Sequence, residues 1–305
     1  MIKRIGRIYR YLRYIKKECF SVEGEVFRKF QNEEAKNRLI EYCDTHSEMD
    51  IYQREVNYLR YNYPKLMFCD ENAIYFSGKN PGFINEIFYD KEKRRFYADR
   101  NGKRLYFHKK IQDYRQALAW YEELVYEQSA TSAHLYLEGE FNIKEGDIIA
   151  DIGAAEGIVA LDYIEIVNHA YLFECDREWM ETLKITFAPW KDKVTIVPKY
   201  VCDKEDEDSV TLDSFFSDKK VDFLKMDIEG AELSALDGAK ELIKGDKPLK
   251  VAVCAYHKEK DEDEIKKRLT NFQITTSTGW MFASYNYPYF RRGIIRAKKM
   301  INESI

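Results

Sequence analysis

Four groups of residues in this sequence have types and spacings suited to chemistry. The most telling is Asp151-Ile152-Gly153-Ala154-Ala155-Glu156-Gly157, which follows the apolar run Asp147-Ile148-Ile149-Ala150 and leads into Ile158-Val159-Ala160-Leu161-Asp162-Tyr163. That order predicts a strand, a tight glycine turn and a helix. Such a turn lets backbone N–H groups approach a ligand closely, and an acid at the strand end can bind a positively charged or hydroxylated one. The spacing, acidic-x-Gly-x-x-x-Gly, is of nucleotide type. It differs from the Gly-x-Gly-x-x-Gly of dinucleotide sites and lacks the Lys-Ser/Thr of a phosphate-binding P-loop. Glu174 ends Tyr171-Leu172-Phe173, 23 positions after Asp151, close to where an acid meets the ribose hydroxyls of an adenosine cofactor. Its structural alternative is a strand-end acid that caps the helix starting near Asp176.

The third group lies in Val221-Asp222-Phe223-Leu224-Lys225-Met226-Asp227-Ile228-Glu229-Gly230-Ala231-Glu232, a buried strand breaking into three carboxylates around a glycine. Acids in a first helical turn complement the dipole by roughly 0.3–1 kcal/mol each. That explains Glu232 well and Asp227, still at the strand end, poorly. The fourth group is His257, at the end of the apolar run Val251-Ala252-Val253-Cys254-Ala255-Tyr256. A strand-end histidine on a ligand edge suits a catalytic or substrate role, although a lone histidine is usually structural.

These residues need a scaffold, and from Gly146 onward the chain alternates as a parallel sheet requires. Strands are predicted at 147–151, 170–174, 194–197, 221–226 and 249–256, with helices near 157–166, 177–187 and 231–244. Pro189 and Gly245 stand where helix stop signals belong. Ile274-Thr275-Thr276, Gly279-Trp280-Met281-Phe282 and Tyr289 to Ile295 read as a closing antiparallel pair. Upstream, Ile111, Tyr114, Leu118, Tyr121 and Val125 share one helix face, and Asn101-Gly102 marks a hairpin turn between strand-like runs. The expected division is an N-terminal helical region over 1–72, a small β appendage over 73–110 and a main domain over 111–305. Residues 1–17 hold Lys3, Arg4, Arg7, Arg10, Arg13, Lys16 and Lys17 with no acid, and Ile5, Ile8, Leu12 and Ile15 at helical spacing. This basic amphipathic stripe admits two readings: a helix packed on the protein with a solvated basic face, or peripheral contact with an anionic membrane surface.

Composition narrows the classes. The 305 residues suffice for a full core, and a net charge of −4 does not point to nucleic acid. Six cysteines, at 19, 43, 69, 175, 202 and 254, form no Cys-x-x-Cys pair, so a reduced, cytoplasmic setting is expected. No apolar run nears the ~20 residues of a membrane span. No ligand spacing indicates a metal; Asp151 with Asp227 is the one pair considered, and none is expected there.

Taken together, the glycine turn, Phe173-Glu174, Thr211-Leu212-Asp213, Lys225-Met226-Asp227-Ile228-Glu229-Gly230-Ala231-Glu232 and Leu236-x-Gly238-Ala239 resemble the FkbM-type class I methyltransferases, in order over roughly residues 127–257. The resemblance implies a Rossmann-like α/β fold, a mostly parallel sheet with an antiparallel closing strand. It also implies S-adenosylmethionine as cofactor and methyl transfer, usually to a hydroxyl of a sugar or other small metabolite. On that basis Asp151, Gly153, Ala154 and Gly157 form the cofactor turn, where a side chain at 157 is expected to intrude on the cofactor, Glu174 meets the ribose and Asp203 lies on the adenine side. Asp227, Glu229 and His257 are the candidate catalytic residues facing the acceptor, with the proton-accepting group undecided. Relatives are expected to carry Pro where this chain has Ala133, a departure in a loop. Two competing readings remain: a nicotinamide-dependent oxidoreductase, which lacks its first Gly-x-Gly pair here, and a non-catalytic membrane-surface assembly protein that keeps the fold.

Overall fold

The computed structural model describes residues 22–61, 68–69, 86–282 and 289–299. The basic stripe over residues 1–17 lies outside them. The described chain begins with α1 (Val22–Thr45), a 3-10 turn (Ser47–Tyr52), α2 (Gln53–Tyr61) and the short β1 (Phe68–Cys69), followed by β2 (Ile87–Asp90), β3 (Arg95–Arg100) and β4 (Lys103–Tyr106). Next come α3 (Tyr114–Glu127), β5 (Ile148–Ile152), α4 (Ile158–Tyr163), β6 (His169–Phe173), α5 (Arg177–Thr186), β7 (Val194–Val197), and the paired β8 (Tyr200–Val201) and β9 (Ser209–Val210). The remainder is α6 (Leu212–Phe215), β10 (Phe223–Met226), α7 (Glu232–Asp237), α8 (Lys240–Lys244), β11 (Lys250–Cys254), α9 (Asp261–Arg268), β12 (Phe272–Thr276), β13 (Trp280–Met281) and β14 (Ile294–Lys299).

Seven strands form one sheet in the order β7-β6-β5-β10-β11-β14-β12. All neighbours are parallel except β14, which runs antiparallel to both β11 and β12. This is the mostly parallel Rossmann-like sheet with an antiparallel closing strand that the resemblance implies. The strands read as near-continuous apolar runs because both faces are covered. Ile149, Leu172, Phe223 and Ala252 face α3, α4 and the β2–β4 sheet, while Ala150, Ile152, Leu224, Met226 and Val253 face α7, α8 and α9. The period-2 alternation has a consequence for chemistry. Asp151, Lys225 and Cys254 follow Ile149, Phe223 and Ala252 by two residues, so all three end up on the first face, at the carboxyl ends of adjacent strands.

Several local expectations are corrected. Asp113 caps α3 by accepting from Gln116 N–H (2.9 Å), which starts the helix later and turns Ala117, Tyr121 and Leu124 inward while Tyr114 stays 38 % exposed. The predicted 231–244 helix is two helices. At Gly238 the backbone passes so close to Cys202 that a Cβ would lie 2.1 Å from its carbonyl oxygen, and the Asp213 carboxylate caps the second helix through Glu241 and Leu242 N–H (3.0 and 2.8 Å). At the C-terminal end, β12 and β14 form the closing pair. Trp280-Met281 instead leaves the sheet and pairs with β1, and Phe282 and Phe290 pack with Leu39, Val56 and Leu59 of the N-terminal helices.

Strands β2–β4 form two hairpins, the second of which turns at Asn101-Gly102, both residues with positive φ (56° and 79°), as a two-residue hairpin requires. Their sheet is tied to the main domain by the two-pronged Arg100–Asp162 pair (2.5 and 2.6 Å) and by Arg95 on Thr182 and Glu181.

Candidate active site

The sheet order reverses between β5 and β10, the two neighbours from which connections run in opposite directions. In such sheets ligands lie beyond the carboxyl ends of the strands at that switch point. The glycine turn leaves β5 there. Gly153, Ala155 and Gly157 all have positive φ (78°, 47° and 79°). Gly153 is demanded by its neighbour, since a Cβ would stand 1.9 Å from the Asp227 carbonyl oxygen. Gly157 has a different cause from the one expected. A Cβ there would lie 2.7 Å from the Phe187 ring and 2.8 Å from Leu183, so the space over it is occupied by α5 and the turn after it, not reserved for a cofactor.

Asp151 is 3 % exposed and pairs with Lys225 Nζ at 2.9 Å. The same ammonium donates to Gly153 O at 2.7 Å. Burial opposes the charge on Lys225, but Asp151 and Asp227 outweigh it and hold the ammonium above the ordinary lysine range. Register makes this pairing inevitable: Lys225 and Asp151 are direct partners on parallel strands, so their side chains leave the same face. A cation therefore already answers Asp151, the carboxylate considered with Asp227 as a metal pair.

Glu174 ties the turn to the end of β6. Its two carboxylate oxygens accept from Ala155 N–H (3.0 Å) and Asp176 N–H (2.8 Å). The helix cap is Asp176 itself, accepting from Glu178 N–H at 2.9 Å. Asp203 follows β8 and is held by α7: it accepts from the Ser234 hydroxyl at 2.8 Å. Glu156, buried in the turn, has its carboxyl pushed up to about 7 by burial.

Across the switch point, Asp227 anchors to β5 by donating its N–H to Ile152 O (3.0 Å). Its carboxylate accepts from Tyr136 Oη at 2.8 Å, with His134 Nε2 at 3.7 Å and His257 Nε2 at 3.8 Å. Burial works against that carboxylate, yet Lys225, both histidines and the Tyr136 hydroxyl hold it at about 2. His257 is 12 % exposed in its side chain, with Nδ1 3.1 Å from Glu232 Oε1 and Nε2 3.8 Å from Glu229 Oε2. Burial would lower its pKa, but Glu232, then Asp227 and Glu229, raise it to about 9. Asp227, Glu229 and His257 thus lie together beyond the carboxyl ends of β10 and β11.

Glu232 does more than complement a dipole. It is 1 % exposed and its Oε1 accepts from Ile228 and Gly230 N–H (2.9 and 3.3 Å), closing the turn in which Glu229 and Gly230 take positive φ. Sequence reasoning also passed over His134, Tyr136, Tyr256 and Cys254. His134 Nε2 shares a hydrogen bond with Tyr256 Oη (3.2 Å), and Cys254 Sγ stands 3.7 Å from both His134 Nε2 and Tyr136 Oη. Burial drives the His134 pKa down to about 4, so this imidazole is neutral at pH 7. The loop carrying these groups is held from β14: Arg296 donates to Tyr136 O (3.1 Å) and Leu135 O (2.7 Å) and pairs with Glu138. Ala133 is fully buried, with a Gly293 Cβ position only 1.9 Å from its carbonyl oxygen. A lysine inside the apolar strand Phe223-Leu224-Lys225-Met226 was a readable signal. The 132–136 loop, without periodicity, offered none.

Three solved structures illustrate what the chain resembles. A methyltransferase FkbM from Methylobacillus flagellatus KT is 22 % identical, over 60 % of this chain and 54 % of that one, with a TM-score of 0.42. The fibrillarin pre-rRNA processing protein of Methanococcus jannaschii is 14 % identical, over 58 % and 76 %, with a TM-score of 0.40. A Streptococcus mutans protein in complex with SAH is 9 % identical, over 52 % and 91 %, with a TM-score of 0.37. The chain spans about half the length of the first of these. No curated protein matches it. Residues 202–275, the segment that holds Asp203, Asp227, Glu229 and His257, match the family model for the methyltransferase FkbM domain.

Proposed function

We propose that the protein is a methyltransferase that uses S-adenosylmethionine and methylates a hydroxyl of a small molecule or glycan. One observation carries this reading: the segment that matches the FkbM model leaves β10 at the switch point beside the glycine turn that leaves β5 with its strand-end acids. The donor set suits the cofactor. A carboxylate offers about four acceptor directions, so the two backbone N–H groups on Glu174 are compatible with ribose hydroxyls donating to it as well. Asp151, Gly153, Ala154 and Gly157 would shape the turn around the cofactor, with Asp203 toward the adenine. When bound, S-adenosylmethionine supplies a methyl group made reactive by its sulfonium.

The chain's own task is then chiefly positioning, which can supply ~7–11 kcal/mol. Asp227 is fixed by Tyr136 and by the β5 backbone, and His257 by Glu232, so an acceptor hydroxyl between them would meet side chains whose orientation is already set. Proton removal is the smaller contribution, about 10²–10⁴-fold in rate. Glu229, 67 % exposed at the rim, faces the same space. Calorimetric titration of the full chain with S-adenosylmethionine tests the reading: saturable binding at one site per chain is expected, and absence of binding at millimolar cofactor would contradict it.

A further inference from the structure

Beyond the glycine turn, the carboxyl ends of β10 and β11 bring metal-type donors together. Asp227, Glu232 and His257 each offer one donor atom, and the three lie within 4.8 Å of one another. Donors held by one ion at about 2.0–2.3 Å stand no more than about 4.6 Å apart, close to the separation of these three. A second observation falls on one of the same three residues. Glu232 is 1 % exposed, and although its Oε1 is engaged by two backbone N–H groups and by His257 Nδ1 at 3.1 Å, its Oε2 is buried with no hydrogen-bond partner among the described residues. His257 Nε2, at 3.8 Å from Asp227 Oδ1, is too far for a hydrogen bond but at a separation that two ligands of one ion adopt.

His134, Asp227 and Cys254 form a second converging group. There, however, Tyr256 Oη engages His134 Nε2 and Tyr136 Oη engages Asp227 Oδ2, so hydroxyl groups already use those donors.

We propose that Asp227, Glu232 and His257 bind one divalent cation, and that the acceptor hydroxyl binds to it through its oxygen. One imidazole nitrogen with two carboxylates suits manganese or zinc, and three protein ligands leave a coordination position open for substrate. The proposal rests on the reading above that Asp227 and His257 face the acceptor, and it adds a Lewis acid that would acidify that hydroxyl. The sequence hides the site because its ligands come from residues 227–232 and 257, a spacing that matches no short metal motif.

The test uses the full chain, freed of metal with EDTA and titrated with Mn²⁺, followed by electron paramagnetic resonance and calorimetry, with Zn²⁺ in parallel. One Mn²⁺ or Zn²⁺ per chain is expected, with affinity at least tenfold weaker in His257→Gln and in Asp227→Asn and unchanged in Cys254→Ser. Melting curves identify any variant that fails to fold. No saturable binding below millimolar metal would overturn the proposal, as would weakening by Cys254→Ser with none by His257→Gln. Titration of the same samples with S-adenosylmethionine separates the two readings. Cofactor binding without metal binding sinks only the cation site, whereas metal binding without cofactor binding supports the cation site and sinks the methyltransferase reading.

Discussion

The two walls of the crevice are built on different plans. The turn wall uses 24 consecutive residues, from Asp151 to Glu174, and its groups are secured mostly by backbone: Ala155 and Asp176 N–H on Glu174, and Gly153 O on Lys225. The opposite wall gathers side chains from three separate stretches, around 134–136, 227–232 and 254–257, and secures them through one another. A wall made from contiguous backbone presents a fixed shape. A wall made from converging ionisable side chains presents charge and hydrogen-bonding that distant substitutions can retune. This division fits a common cofactor on one side and a particular acceptor on the other.

Lys225 joins the two walls, so its loss should break the comparison most severely. Lys225→Met leaves Asp151 buried without its cation, and breaking a buried pair in this way costs about 3–5 kcal/mol. For a domain of this size the melting temperature should fall by roughly 10 °C. Adding Asp151→Asn should recover part of it. A melting temperature within 2 °C of the parent would show that the pair does not hold the walls together.

Gly157 sharpens the contrast. With positive φ and a Cβ position against Phe187 and Leu183, Gly157→Val should destabilise by about 2–4 kcal/mol, from backbone strain and overpacking. A native-like melting curve combined with lost cofactor binding would restore the view that this glycine makes room for ligand.

The turn wall should also carry a pH signature through Glu156. Its carboxyl is raised to about 7 in the folded state by burial, above the ordinary value near 4.3. The folded chain therefore binds more protons than the unfolded one between these values. Stability from this group is fully present below about pH 4.3 and is lost as pH rises through 7, a change of about 4 kcal/mol at most. Chemical denaturation of Glu156→Gln between pH 4 and 8 should lack that decline. An unaltered slope in the variant would assign the effect elsewhere.

What the sequence revealed follows the same division. The strand-turn-helix at 147–163, Glu174 and the Asp227–Glu232 segment were legible because contiguous residues carry both periodicity and function. The closing pair was only half legible. Gly279 to Phe282 has strand-like composition, but its partner, β1, lies more than 200 residues upstream. His134 and Tyr136 were not legible as site residues, since they sit in an aperiodic loop whose position depends on Arg296 of the last strand. Glu232 was legible as a helix-start acid, while its bonds to Ile228, Gly230 and His257 depend on a turn geometry that composition does not specify.

The central claim is that cofactor and acceptor are held by separate walls, and it is tested most directly by titrating S-adenosylmethionine into Glu174→Gln and Asp227→Asn side by side. Glu174→Gln should weaken binding by roughly 10–100-fold, the worth of a charged hydrogen bond of about 1.5–3 kcal/mol. Asp227→Asn should bind within about twofold of the parent while methyl transfer to a competent acceptor falls by roughly 10²–10⁴-fold. Equal losses of cofactor affinity in the two variants, or a larger loss in Asp227→Asn, would contradict the division of the site.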